Sequence, residues 1–178
     1  MNKEDSIKEK FKQALTSTFK VISDDYKINS KDKKEFDEKS LQIGELENIN
    51  DKNQFRKLRA ETDSEALKKK FSNKKIFEKN LPKKPSCQSL YKISERIRYE
   101  MLGSKMMKGI AKNFNANYNY KLTFTKHEKI TKKDDVNIAE AFEIYMLNKF
   151  FKIELNQKNK EILKFWNEDF KKSFDKHL

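Results

Sequence analysis

The amino-acid sequence predicts an all-α fold, an irregular bundle of five to six helices with at most one short strand or hairpin. Apolar residues recur at spacings of three and four along most of the chain, the signature of helices that bury one face. Only 3 Gly and 2 Pro occur in 178 residues, too few for the turns of a many-stranded sandwich or barrel. Cap-forming Ser, Thr, Asp and Asn residues also precede the periodic stretches. With 39% charged residues and a mean hydropathy of -1.03 the chain would suit disorder, but 14 Phe, 6 Tyr and one Trp supply large groups to bury. The length fits one domain: an N-terminal helix and a polar, mobile loop over 1–50, then a helical core region over 51–178.

Ser6-Ile7-Lys8-Glu9 has the form of a capping box, and Ile7, Phe11, Leu15, Phe19 and Ile22 then mark a helix over about 6–24. From Asp25 to Asn50 the period fades, which reads as a loop with one short extended piece at most. Asp51 with Gln54 offers a second cap, leading through Phe55, Leu58, Thr62, Ala66 and Leu67 to about Phe71. Asn80-Leu81-Pro82-Lys83-Lys84-Pro85 breaks the pattern, and Ser86 can cap the next helix. That helix carries Leu90, Ile93, Ile97, Met101, Ser104, Met107, Ala111, Phe114 and Tyr118 on one apolar or small face and could run nearly thirty residues, bent at Gly103. Tyr118 to Phe124 alternates with period two, as a short strand or a frayed helix end would. Thr131-Lys132-Lys133-Asp134 has a capping-box form before Ile138, Phe142, Met146 and Phe150. A last helix from near Asn156 aligns Ile162, Phe165, Trp166, Phe170 and Phe174.

The charge is uneven. Residues 1–50 carry 10 Lys against 11 Asp and Glu, whereas 51–178 carry 31 Lys and Arg against 17 Asp and Glu. Such a field attracts nucleic acid, anionic lipid or an acidic protein segment. All but four of the 41 basic residues are Lys, however, so a generic lysine-coated surface explains much of it. The guanidinium forks that clamp phosphates and read guanine are confined to Arg56, Arg59, Arg96 and Arg98.

Several chemistries lack their residues. No Walker-type loop exists: Gly103 and Gly109 are wrongly spaced and Ile110 follows. An Asp-x-Ser-x-Ser metal-adhesion motif is missing. Cys87 is the single thiol, so no internal disulfide forms, and with His127 and His177 it falls short of a zinc pattern. A thiol enzyme built on Cys87 has no base beside it in the sequence, although a helix start can lower a thiol pKa. The charged N-terminus is unlike a signal peptide and no window approaches a membrane span, so a cytoplasmic location is expected.

The densest polar pattern is Glu95-Arg96-Ile97-Arg98-Tyr99-Glu100, with Met101-Leu102-Gly103 and Met106-Met107-Lys108-Gly109 after it. On a helix Glu95 and Arg98, and Arg96 and Glu100, can pair across a turn, each pair worth only about 0.2–0.5 kcal/mol when exposed. Two of the four arginines fall here, which suggests fixed planar hydrogen bonding to another helix or a partner. Each glycine costs a helix about 1 kcal/mol relative to Ala, so two within seven residues imply a close approach or a break.

Two stretches resemble a family. Arg59-Ala60-Glu61-Thr62-Asp63-Ser64-Glu65-Ala66-Leu67 is similar to the Arg-Gly-x-Ala-Asp-x-x-Ala-Leu stretch of CobT, a subunit of the aerobic, ATP-dependent cobaltochelatase. Glu95-x-x-Arg98-x-Glu100-x-x-Gly103-x-x-x-Met107-x-Gly109-x-x-x-Asn113 resembles its second stretch with the same spacing. Weaker similarity covers Phe11 to Ile22, Ala139 to Phe150 and Trp166. The family's Gly and Ala after the arginine are Ala60 and Thr62 here, and several arginines of its second stretch are replaced, as at Lys105 and Met106.

The resemblance implies a non-catalytic assembly region in cobalamin biosynthesis. Its partners would be an AAA+ ATPase and a large chelatase subunit that inserts cobalt into a corrin ring, a ligase reaction forming nitrogen–metal bonds. ATP, Mg and Co belong to that complex, with no cofactor bound by this chain. The family's acidic linker and von Willebrand factor A-like domain have no counterpart in these 178 residues. Arg59, Asp63, Glu95, Arg98, Glu100, Gly103, Met107, Gly109 and Asn113 are then the fold-defining or partner-contacting residues, with no catalytic or metal role. The rival reading is a basic helical nucleic-acid-binding protein, with aromatics among Lys and Asn at Tyr118 to Phe124.

Overall fold

The computed structural model describes residues 3–24, 44, 46–123 and 130–175. Among them are eight α-helices and no strand: α1 (Lys3–Ile22), α2 (Lys52–Phe71), α3 (Lys74–Lys79), α4 (Pro85–Met106), α5 (Lys108–Thr123), α6 (Ile138–Phe151), α7 (Gln157–Lys164) and α8 (Asn167–Phe174). One 3-10 turn spans Lys133–Asp135. The chain forms two compact units, one of residues 1–73 and 102–117, the other of 74–101 and 118–178. The predicted loop over 25–50 lies mostly outside the described residues. At its end Leu46 is buried against Leu15 and Leu58.

In the first unit α1 and α2 run parallel, because their pairings advance together along both helices. Phe11 meets Phe55 edge to face, Thr18 meets Arg59, and Asp24 just after α1 meets Lys70 near the end of α2. Asp51 caps α2 by accepting from Asn53 and Gln54 backbone N–H groups. Gln54 does not complete a box; its side chain instead accepts from the Glu47 and Asn48 backbones and ties down the approach to the helix. Leu15, Phe19, Leu58, Ala66, Leu67, Ile110 and Phe114 fill this unit's interior.

The predicted long helix is two helices. Met107 alone separates α4 from α5, and the chain reverses there rather than bending at Gly103, which stays inside α4. Tyr118 donates to Glu100, 18 residues earlier, although a straight helix would set them about 27 Å apart. Met107 N–H bonds to Gly103 O and Ala111 N–H to Met107 O, so the residue at the corner donates to α4 and accepts from α5. Pro85 begins α4 where its missing N–H costs nothing, so Ser86 is already helical rather than a cap. Through Thr123 the alternating run belongs to α5 and is helical, with Leu122 facing inward at 6% exposure; Phe124 lies outside the described residues.

In the second unit α6 is apolar nearly all round and central, burying Ala141, Phe142, Ile144, Tyr145, Met146, Leu147 and Phe151. Asn137, not Thr131, caps it. The Thr131 motif closes the 3-10 turn instead, with Asp135 accepting from Thr131 and Lys132. Phe142, Tyr145, Trp166, Phe170 and Phe174 form a ring cluster that holds α8 on α6. The predicted last helix breaks at Phe165 and Trp166 into α7 and α8. Its Asn156 cap serves twice: the side chain accepts from Asn159 N–H, and the amides of Asn156 and Asn159 both donate to Leu122 O, a carbonyl left over at the end of α5.

Candidate functional site

The nine residues singled out from the sequence fall into two groups. Arg59, Asp63, Gly103, Met107, Gly109 and Asn113 belong to the first unit; Glu95, Arg98 and Glu100 belong to the second.

In the first unit α2 and α5 bring the two family-like stretches together. Asp63 is fully buried, and its carboxylate accepts from Asn113 Nδ2 at 2.7 Å and from Arg59 Nε at 3.3 Å. Arg59 sits one helical turn before Asp63 and also donates from Nη1 to Thr18 Oγ1 at 3.1 Å, joining α1 to α2. Burial pushes Asp63 above its ordinary pKa of 3.8, against the lowering effects of Asn113 and Arg59. Gly103 explains itself by crowding: a Cβ there would stand 2.4 Å from both terminal methyls of Leu67, which has no exposed surface. Gly109 is the opposite case. It is exposed, and a Cβ there would meet nothing within 4 Å.

Gly109→Ala is therefore expected to leave stability unchanged or raise it, by less than the roughly 1 kcal/mol that separates the two residues in a helix interior. A thermal melt checks this, and a clear loss of stability would show a contact the fold lacks. Arg59, Met107 and Gly109 line one groove with Thr18, Val21 and Ile110, about 350 Å³ in volume.

In the second unit Glu95 and Arg98 pair in bidentate fashion at 2.7 and 2.8 Å on one exposed stretch of α4. The predicted Arg96–Glu100 pair is not a hydrogen-bonded one. Arg96 reaches α6, donating to Glu143 at 2.8 Å, and Lys121 of α5 donates to the same oxygen at 2.6 Å. Glu100 is buried at 2% exposure and accepts from the Tyr118 hydroxyl. Burial, reinforced by the Glu100 carboxylate, holds the Tyr118 phenol protonated far above its usual range.

Arg96, Lys121 and Glu143 are thus the interhelical junction that sequence reasoning missed. Arginine scarcity pointed to the segment. Which of its two arginines turned inward depended on Ile97 and Glu100 being buried, which sets α4's rotation.

Burial alone would raise the Glu143 pKa, yet Arg96 and Lys121 hold it below 4.5. A depressed carboxylate contributes stability above its unfolded pKa and loses it as pH falls through the folded one. Glu143→Gln should therefore cost about 1–2 kcal/mol at neutral pH and flatten the loss of stability below about pH 4.5. Denaturant titrations across that range test it; an unchanged acid slope would refute the junction's role.

Among the described residues no three His, Cys, Asp or Glu side chains gather as a metal-ligand set. Cys87 is exposed in the first turn of α4, and both histidines lie outside the described residues. No described helix is long and apolar enough to cross a membrane. What the site does offer is a buried polar clamp and a close helix approach, both assembled from the family-like stretches, and an adjoining groove that α1 helps to line. No curated protein and no solved structure matches the chain. The family model for cobalamin biosynthesis protein CobT does match it, over residues 5–178, and the chain belongs to that family.

Proposed function

We propose that this chain is the non-catalytic assembly region of a cobaltochelatase CobT-type subunit. It works with an AAA+ ATPase and a large chelatase subunit that inserts cobalt, as substrate, into a corrin ring. Family membership supplies the link to cobalamin biosynthesis. The observation that carries the assembly role is the use to which the family-like residues are put. Asp63 is sealed between Arg59 and Asn113, and Gly103 receives Leu67, so these residues spend their polarity and space on holding helices together. The Asp63 carboxylate has no exposed surface. ATP and magnesium are work for the ATPase, the metal and the tetrapyrrole for the large subunit.

The test is affinity purification of the chain from its native extract, washed at low and at high salt. Retention of an AAA+ ATPase at high salt, with the large chelatase subunit, is the expected result. Nucleic acid recovered without either protein, its log affinity falling with log salt by about 0.9 per phosphate contact on B-form DNA, would favour the basic nucleic-acid-binding reading instead.

A further inference from the structure

Arg59 is only partly used by the fold. Its Nε and Nη1 are bonded to Asp63 and Thr18, while Nη2 makes no hydrogen bond among the described residues and the side chain is 36% exposed. It is the one charged residue in the lining of the groove between α1, α2 and the start of α5, and no described carboxylate lines that groove. The remaining walls are largely apolar: Val21, 55% exposed at the end of α1, with Ile22, Met107 and Ile110.

Gly109 stands in the same wall, and the chain itself gives no reason for a glycine there. Its φ is not positive, and nothing lies where a Cβ would project. A glycine in the first turn of a helix that has no positive φ and no internal contact fits a backbone approached from outside the chain.

We infer that this groove seats a partner segment bearing a carboxylate beside apolar side chains. The carboxylate takes the free edge of Arg59, and an apolar side chain packs on Val21 and Met107 across Gly109. The inference rests on the proposed function and places the segment on the AAA+ ATPase. Charge complementarity selects the occupant. A single guanidinium in an apolar trough suits one carboxylate, because its planar fork can bind Asp63 on one side and a second acid on the other. A nucleic-acid strand would need a row of cations along its phosphates.

The experiment uses the whole chain and the purified ATPase subunit, titrated by calorimetry, with melting temperatures recorded for every variant. Gly109→Leu fills the groove from α5, and Val21→Glu places a repelling charge on its α1 wall. Both positions are exposed, so both variants should melt like the wild type. Each is expected to weaken binding at least about tenfold, the scale of a lost central contact. Ile76→Glu on α3, in the other unit and 59% exposed, serves as control and should bind as the wild type does. Wild-type affinity in both groove variants would overturn the groove as the docking site while leaving the proposed function standing. Failure of the wild-type chain itself to bind the ATPase would overturn both.

Discussion

Asp63→Ala should destabilise the protein by about 2–3 kcal/mol, the cost of leaving the Asn113 amide without its acceptor beside a void in the packing. The carboxylate has no exposed surface and receives both Asn113 and Arg59. Alanine leaves the Asn113 amide and the Arg59 guanidinium without their acceptor and opens a void between α2 and α5. Asp63→Asn preserves the shape and should cost less, about 1–2 kcal/mol, since an amide nitrogen then faces a donor.

The pH dependence separates this clamp from an ordinary salt bridge. Asp63 has a raised folded pKa, so the folded protein takes up a proton before the unfolded chain does. Stability from this group is then fully present only below its unfolded pKa of 3.8 and is lost as pH rises through the folded value. The stability difference between wild type and Asp63→Asn should grow in favour of wild type from neutral toward about pH 4. Urea unfolding of both proteins at the two pH values measures it. A difference that shrinks toward acid would mean that Arg59 outweighs desolvation and that the clamp behaves as a simple ion pair. Glu143, whose pKa is depressed, moves the opposite way, so the two substitutions bracket the sign.

Gly103→Ala is the second expected loss, about 1–2 kcal/mol, although Ala is the better helix former by about 1 kcal/mol. The added methyl would stand 2.4 Å from two Leu67 methyls, and Leu67 is sealed in the core and cannot swing aside. Leu67→Ala alone should cost about 2–5 kcal/mol through the cavity it leaves. In that background Gly103→Ala has room, so its effect should vanish or turn stabilising. The resulting coupling between the two substitutions is read from a double-mutant cycle by thermal or denaturant unfolding. Additive losses would show that Gly103 is needed for a reason other than Leu67. Gly109→Ala, with open space above it, is the internal control.

What could be read from the chain alone was whatever lies within one helical turn. Asp51 and Asn156 could be placed as helix starts because a cap bonds the N–H groups two or three residues on. The same locality misled at Thr131, where a box-like motif closes a 3-10 turn one step before the true cap, Asn137. It also hid α3, six residues with nothing buried and hence no apolar period. The pairing of Glu95 with Arg98 was legible for the same reason, and as an exposed pair it is worth the least.

By itself, then, the sequence determined the helical class, the starts of several helices and the two family-like stretches, because periodicity and capping are written in residues three and four apart. The tertiary structure decided the reversal at Met107, the turning of Arg96 toward Glu143 and the meeting of Asp63 with Asn113. Those partners are 47 and 50 residues apart. Their choice depends on which faces of α2, α4 and α5 are buried, a balance of packing across the whole interior that no local spacing records.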